Sequence, residues 1–143
     1  MQPHVRPLRG TDAAHCLTLY RSLTFGPKTV TTTAFQAVVD HPGTTVFGAD
    51  VDGRILAMVT LHLLPNVTWN ARPYGLVENV VTHPDFQRRG LGREVMQAAL
   101  DHAWAADAYK VMLLTGLKRG ASGFYQAVGF SSEDKTGLVI RQP

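Results

Sequence analysis

The sequence contains a single cysteine, Cys16, among 143 residues, so a disulfide within one chain is impossible. This scarcity favours a reducing compartment, and we expect a cytoplasmic protein. No run of about 18 consecutive apolar residues occurs, which predicts that no segment spans a membrane. The stretch from Met1 to Leu8 also lacks the apolar core of a secretory signal.

A dense stripe of basic residues is missing as well. The net charge is +3, and the longest basic runs are the pairs Arg88-Arg89 and Lys118-Arg119. We therefore expect no nucleic-acid partner, although a mild positive charge suits an anionic ligand. The six histidines lack the helical spacing and the neighbouring carboxylates of a metal site, so no metal is expected.

The remaining composition is typical of a folded protein, with 45% hydrophobic and 17% charged residues. The length predicts one domain over residues 1–143. Apolar periodicity and turn signals predict strands and helices in a fixed order. These are a strand at Val5 to Leu8, helices from Ala13 to Tyr20 and Thr33 to Val39, strands at Thr44 to Val51, Arg54 to Leu64 and Tyr74 to Thr82, a helix at Gly90 to Asp107, a strand at Tyr109 to Thr115, a helix at Ala121 to Val128 and a last strand at Leu138 to Arg141.

The three long strands between residues 44 and 82 are expected to form an antiparallel meander. Asp52-Gly53 is a strong hairpin signal between the first two of them. A helix separates the third from the strand at Tyr109 to Thr115, which predicts a right-handed parallel crossover. The nearly continuous apolar run of that last strand predicts a central position covered on both faces. A mixed sheet with helices on both faces follows.

A candidate phosphate site lies where the strand ending at Thr82 gives way to a helix. Gly90 and Gly92 allow a ligand to approach the first helical turn, whose N–H groups are unpaired and carry the positive end of the dipole. Arginines 88, 89 and 93 add positive charge there. The loop alone fits a tight turn with solvated arginines equally well. The Rossmann and P-loop patterns are both incomplete, so NAD and ATP are not expected.

Two segments resemble the GNAT superfamily of N-acetyltransferases. Val80-Val81-Thr82-His83-Pro84-Asp85-Phe86-Gln87-Arg88-Arg89-Gly90-Leu91-Gly92 is similar to its acetyl-CoA motif, and Gly123-Phe124-Tyr125-Gln126-Ala127-Val128-Gly129-Phe130 is similar to its second signature. Their spacing and the order of elements match the family. The resemblance implies a GNAT-type α/β (mixed α+β) fold. Its mostly antiparallel sheet would have six to seven strands, a central parallel pair and helices on both faces.

The resemblance also implies roles for particular residues, with acetyl-CoA as acetyl donor. The backbone of Val80 and Thr82 would hold the pantetheine arm where two family strands splay apart. N–H groups of the loop and helix start would hold the pyrophosphate, and Tyr125 would protonate the departing thiolate. The cofactor-binding set is Val80, Thr82, Gln87, Arg88, Arg89, Gly90, Leu91, Gly92 and Arg93. Many relatives have Asn where this sequence has Lys118, so the cofactor contact there is in doubt.

Glu78 is the candidate base, because a mostly protonated amine must lose a proton before it attacks a thioester. It lies two residues before Val80 and is therefore expected on the same face of the strand. A carboxylate in an apolar strand predicts partial burial, which would suit a base acting directly or through water. The simpler interpretations are a structural ion pair for Glu78 and an aromatic packed at a helix end for Tyr125.

The acceptor is less well defined by sequence. Gly75 to Val81 and Tyr109-Lys110 look most like glucosamine-phosphate N-acetyltransferases, whereas Leu61-His62-Leu63 resembles aminoalkylphosphonate N-acetyltransferases. We expect a small-molecule amine, and antibiotics and polyamines stay open. Arginines 54 and 72 or Lys28 are candidates for a basic pocket. His62 and His83 are candidates for the acceptor side, although half-buried structural histidines are the simpler interpretation.

Two alternatives accompany this expectation. The domain could be a non-catalytic acyl-CoA sensor or partner subunit, which would need neither Glu78 nor Tyr125. A homodimer is also possible by analogy with relatives that share a C-terminal strand, for which Leu138 to Ile140 is the candidate.

Overall fold

The computed structural model describes residues 1–23, 30–117 and 120–143. These ranges contain five strands: β1 (His4–Pro7), β2 (Thr44–Val51), β3 (Arg54–Leu64), β4 (Tyr74–Thr82) and β5 (Val111–Leu113). The helices are α1 (Ala13–Tyr20), α2 (Thr32–Val39), the four-residue α3 (Thr68–Ala71), α4 (Leu91–Ala105) and α5 (Ser122–Val128). Two 3-10 turns cover Gly10–Asp12 and Pro84–Phe86. None of the helices in the described ranges has the length and apolar character needed to cross a bilayer.

The sheet runs in the order β1-β2-β3-β4-β5. The first four strands pair antiparallel, and β4 pairs with β5 in parallel, so the predicted meander and parallel crossover are confirmed. Asp52 and Gly53 both have positive φ, 51° and 80°, as a tight primed hairpin turn requires. The predicted bounds of β2, β3 and β4 agree with the structure.

Each face of the sheet carries its own core, which confirms the prediction of helices on both sides. On one face, α4 inserts the fully buried Leu91, Val95 and Ala99 against strand residues such as Val59 and Val77. On the other face, α1 and α2 cover a second cluster. Its buried members include Cys16, Leu19, Phe35, Val46, Met58 and Val81. The two faces therefore present different surroundings to any ligand at the sheet's open edge.

Two predictions about the end of the chain are wrong. β5 is three half-buried residues at the edge of the described sheet, with β4 as its ladder partner, so it is neither central nor fully covered. Residues Leu138 to Arg141 form no strand, since no neighbouring strand supplies the hydrogen bonds that a ladder needs. The described sheet consequently has five strands, and its parallel pair lies at an edge instead of the centre.

The predicted loop from Pro65 to Pro73 contains the unpredicted turn α3. Trp69, Asn70 and Ala71 all have φ near +60°, so the backbone turns in the left-handed sense. The turn is held by the Trp69 ring, which stacks on Tyr109 at 5.5 Å. The Trp69 side chain is nevertheless 64% exposed.

Candidate active site

An open edge of the sheet begins where β4 and β5 separate. Their parallel ladder joins Gly75 to Val111 and ends at Val77 and Leu113. β4 nevertheless continues to Thr82, and among the described strands β3 is its one partner there. Along this stretch the second edge of β4 offers backbone N–H and C=O groups to an extended ligand, in the manner of an added strand. This geometry agrees with the predicted position of Val80 and Thr82 at a splay between two strands.

A β-bulge interrupts β4 at the same place. Glu78 lies opposite Thr60 and Val81 lies opposite Met58, so β4 has one more residue than β3 between these pairs. Asn79 takes a left-handed conformation, φ 53°, which asparagine tolerates better than most residues. A bulge bends the strand and frees backbone groups from the ladder. It therefore enlarges the opening beside β5.

The bulge contradicts the expectation that Glu78 and Val80 share a face. Val80 packs against the α4 core, as Val77 does. Glu78 instead lies opposite Thr60, whose hydroxyl hydrogen-bonds with Tyr20 on the α1 side of the sheet. The expected partial burial is also wrong, because Glu78 is exposed. Because Asn79 is an extra, left-handed residue in β4, the alternation of side chains between the two sheet faces shifts by one residue there. The two-residue spacing therefore predicted the wrong face for Glu78 relative to Val80.

The phosphate site predicted at the start of α4 has the expected backbone geometry. Gly90 is the N-cap of α4 with φ 84°, and no side chain of the described residues caps this helix end. The N–H groups from Gly90 to Arg93 therefore belong to the unpaired first turn. Gln87, the arginines 88, 89 and 93, and Gly90 are exposed around it, while Leu91 is buried as the anchor of the helix.

Gly92 brings this helix start against the end of β4. A Cβ added at Gly92 would lie 3.3 Å from the Thr82 hydroxyl and 3.6 Å from the Phe124 ring. The open edge of β4 and the unpaired N–H groups of α4 are thus neighbours. Phe124 forms a wall that sequence reasoning passed over, although it directly precedes Tyr125 in the second motif.

Tyr125 lies on α5 and is half-buried. Its ring makes edge contacts with Phe124 at 5.1 Å and with Phe130 at 6.2 Å. It lines a cavity of about 630 Å³ that is bounded by α4, β5, α5 and the C-terminal segment. Gly129, with φ 118°, ends the helix as predicted. Packing and a catalytic role are compatible at this position.

Arg54 and Arg72, two candidates for a basic acceptor pocket, lie too far apart to share one pocket. Arg54 lies 5.6 Å from the Phe86 ring centroid, before the start of α4. Arg72 pairs with Asp107 beyond the other end of α4, with 3.3 Å between Nε and the carboxylate. The 15 residues of α4 separate these ends by about 22 Å. Lys28 lies outside the described residues, as do Lys118 and Arg119.

The two histidines singled out from the sequence have different surroundings. His83 accepts a hydrogen bond from the Asp85 N–H at 3.2 Å and packs against Phe86, so it caps the 3-10 turn as a structural residue. His62 lies on the same face of β3 as Thr60, and its Nδ1 is 2.8 Å from the Thr44 hydroxyl. His62 is therefore on the Glu78 side of the sheet.

The described residues include no group of three or more histidine, cysteine, aspartate or glutamate side chains placed to hold a metal ion. Cys16 is fully buried, and burial raises the pKa of its thiol to about 12. A thiol of that pKa stays protonated near neutral pH and is a poor nucleophile.

Comparisons with known proteins agree with this geometry. Residues 14–130 match the model of the acetyltransferase (GNAT) family. A solved structure from Agrobacterium tumefaciens strain C58, whose own assignment as an acetyltransferase is provisional, is 40% identical with a TM-score of 0.90. That similarity covers 97% of this chain and 99% of the other. Glucosamine-6-phosphate N-acetyltransferase from Arabidopsis thaliana is 20% identical with a TM-score of 0.82, covering 100% and 99% of the two chains, and supports the fold alone.

A curated relative, glucosamine 6-phosphate N-acetyltransferase of Trypanosoma brucei brucei, is 29% identical over 92 residues. The match covers 64% of this chain and 61% of that protein, so it spans about three fifths of the relative's length. The open edge of β4 and the uncapped start of α4 both lie within the residues that the family model matches. Because the family model covers most of the sequence, the chain belongs to the acetyltransferase (GNAT) family.

Proposed function

We propose that this chain, acting as one domain over residues 1–143, transfers the acetyl group of acetyl-CoA to the primary amine of a small molecule. The observation that supports this proposal most directly is that β4 separates from β5 after Val77 and ends beside the unpaired first turn of α4 at Gly92. An extended thioester arm fits along the first feature and a diphosphate fits at the second. Glucosamine 6-phosphate is the first acceptor to test, because the curated relative from Trypanosoma brucei brucei is named for it.

In this proposal the cofactor-binding residues have separate tasks. The backbone of Val80 and Thr82 holds the pantetheine arm along the free edge of β4. The N–H groups from Gly90 to Arg93 hold the pyrophosphate, and the exposed guanidinium groups of Arg88 and Arg89 neutralise its charge. Arg89 also lies 5.1 Å from the Phe86 ring centroid, which restrains its side chain near the loop.

The reaction is a direct attack in a ternary complex. Glu78 first takes one proton from the ammonium group of the acceptor. The neutral nitrogen then bonds to the thioester carbonyl carbon and the carbon–sulfur bond breaks. The thiolate takes a proton from the Tyr125 hydroxyl, and the phenolate takes the second proton of the nitrogen, since a phenol and a thiol have similar proton affinities. The buried, protonated Cys16 supports direct transfer over a cysteine acyl-enzyme.

The test is release of free CoA thiol from acetyl-CoA with a panel of amines. It would contain glucosamine 6-phosphate, unphosphorylated glucosamine, aminoethylphosphonate, a polyamine and an aminoglycoside. We expect rapid release with the phosphorylated sugar and weak release with glucosamine itself. Release with a different amine would replace the acceptor, whereas binding of acetyl-CoA without consumption by any amine would favour the sensor alternative.

Tyr125→Phe is expected to lower kcat by roughly tenfold to a hundredfold, because it removes the proton donor and keeps the ring packing. Affinity for acetyl-CoA, measured by titration calorimetry, should stay within about twofold of wild type. Tyr109→Phe is the matched control, because it removes a hydroxyl that bonds Asn66 at 2.8 Å in the α3 loop. Equal kcat values for Tyr125→Phe and wild type would contradict the donor role.

We also infer a homodimer in which the C-terminal segment of one copy adds to the free edge of β5 in its partner. Leu138, Val139 and Ile140 are 90%, 62% and 98% exposed, an unusual run for three consecutive apolar residues. The chain passes beside the end of β5 at Gly137, which lies against the Leu114 side chain. In a symmetric dimer, the β-prone segment of each copy can pair with the outer edge of β5 in the other copy.

Light scattering should therefore give a dimer mass for the wild type and a monomer mass for Leu138→Lys/Ile140→Lys. Because both side chains are exposed within one copy, the double variant should keep its melting temperature as a monomer. Val67→Lys is the control, as Val67 is 91% exposed at a distant loop. A monomeric wild type would overturn the dimer.

A further inference from the structure

The hydroxyl group of Thr44 joins two histidines on the Glu78 side of the sheet. The Thr44 Oγ1 lies 3.0 Å from His41 Nδ1 and 2.8 Å from His62 Nδ1. Thr44 is only 8% exposed, His62 is half-buried on β3, and His41 is exposed just after α2. The three groups thus form a continuous hydrogen-bonded path from the sheet face to solvent.

The chemistry of a hydroxyl constrains the protons along this path. Thr44 has one O–H to donate, so between two neutral imidazoles it donates to one Nδ1 and accepts an N–H from the other. One histidine must therefore carry its proton on Nδ1 and the other on Nε2. Such an arrangement conducts a proton in one direction and can reverse by a change of both tautomers.

The inner end of this path lies on the same face of the sheet as Glu78. Thr44 and His62 are directly paired across β2 and β3, and Thr60 is directly paired with Glu78 across β3 and β4. His62 is two residues after Thr60 on the same strand face, so it is the diagonal neighbour of Glu78, with about 7–8 Å between Cβ atoms. One water molecule can bridge a carboxylate and an imidazole at that spacing.

Amide formation from an ammonium group creates a proton that must leave the site. The balanced reaction consumes R–NH₃⁺ and acetyl-CoA and yields R–NH–acetyl, CoA–SH and one H⁺. When an acceptor lies over Glu78, it covers the direct route from this carboxylate to bulk water. A path that runs beneath the acceptor to an exposed residue solves this problem.

We propose that His62, Thr44 and His41 form a proton relay that carries this proton from Glu78 to solvent. This rests on the amine acetylation proposed above. Glu78 passes the proton through water to His62 Nε2, and His62 gives its Nδ1 proton to the Thr44 hydroxyl. The hydroxyl gives its own proton to His41 Nδ1, and His41 releases its Nε2 proton to water. One proton enters and one leaves, which leaves His62 protonated on Nε2 and His41 protonated on Nδ1. Before the next turnover both rings leave their bonds to Thr44 and return to their resting tautomers by exchange with water, and the Thr44 hydroxyl rotates back.

The kinetic test replaces the hydroxyl by a methyl group of the same size. With acetyl-CoA and glucosamine 6-phosphate, Thr44→Val should lower kcat by about tenfold and leave KM within about twofold. Thr45→Val is the matched control, since Thr45 is the next residue on β2 and faces the opposite side. Unchanged turnover in Thr44→Val overturns the relay.

A second variant distinguishes a role of His41 in the proton relay from a purely structural role. His41→Ala should also lower kcat, and added imidazole should restore it, because His41 is exposed and a small base can occupy its place. A purely structural loss at His41 would not respond to imidazole, so absence of rescue contradicts the relay.

Histidine tautomers give a readout that needs no substrate. Long-range ¹H–¹⁵N NMR spectra of the wild type should show His62 with its proton on Nδ1 and His41 with its proton on Nε2. The opposite tautomer at His62 overturns the relay even if the enzyme is active. Failure of the wild type to acetylate any amine contradicts the proposed function instead, and the tautomers then decide the relay separately.

Discussion

Gly90→Glu is expected to weaken acetyl-CoA binding by roughly a hundredfold, which corresponds to about 2.7 kcal/mol. A side chain at this position would project into open space, because no atom of residues 1–23, 30–117 or 120–143 lies within 4 Å of an added Cβ. That space is where a diphosphate would approach the first turn of α4. The new carboxylate would both occupy it and repel the phosphates, at the helix end whose dipole should attract them. Titration calorimetry with acetyl-CoA measures the change.

Gly53→Glu is a closely matched control for this prediction. Gly53 has φ 80° against 84° for Gly90, and an added Cβ there also meets no atom within 4 Å. Both substitutions therefore cost a similar 1–2 kcal/mol of backbone strain and add the same charge. Gly53 lies in the β2–β3 turn, so its variant should bind acetyl-CoA as the wild type does. If both variants bind acetyl-CoA equally well, the helix start does not hold the pyrophosphate.

Local sequence signals predicted the middle of the fold well. Asp52-Gly53 determines the hairpin and therefore the facing ends of β2 and β3. Gly90 signals the start of α4 in the sequence, because glycine tolerates a positive φ and leaves room for a ligand to approach the helix end. Apolar residues recur at helical spacing along α4, and four of them are fully buried: Leu91, Val95, Ala99 and Ala103.

Features that depend on contacts between distant residues could not be predicted in this way. The bulge at Asn79 exists because β3 has one residue fewer over the same span, and no local motif signals that difference. The apolar run in β5 indicated that the strand is buried, but it did not indicate whether strands pair with both of its edges. The hydroxyl between His41 and His62 likewise joins residues 21 positions apart, through a strand pairing that spacing alone does not specify.

The bulge has a consequence for the site that simple alternation would have hidden. With regular pleating, Glu78 and Val80 would face the same side, and the base would lie against the α4 core. With Asn79 in the left-handed region, Val80 faces α4 while Glu78 faces the α1 side. In the proposed reaction, the donor and the acceptor would then approach the edge of β4 from opposite faces, with their reacting groups meeting at the bulge.

Glu78→Gln is accordingly expected to lower kcat by about a hundredfold to ten-thousandfold, the usual contribution of a general base. The amide keeps the size of the side chain and cannot accept the proton of an ammonium group. Acetyl-CoA affinity should change by less than about twofold, because Glu78 lies on the sheet face opposite α4, whose first turn is the proposed pyrophosphate site. Steady-state kinetics with glucosamine 6-phosphate and calorimetry with acetyl-CoA separate the two quantities.

Glu133→Gln provides the control for loss of one negative charge, since Glu133 is exposed in the C-terminal segment. Raising the pH should partly restore turnover in Glu78→Gln, because more of the acceptor amine is then neutral and needs no base. A structural role for Glu78 would lower turnover equally at every pH. The pH dependence of the remaining rate therefore distinguishes a base from a residue that merely supports the bulge, and a variant as active as wild type at neutral pH would remove Glu78 from the mechanism.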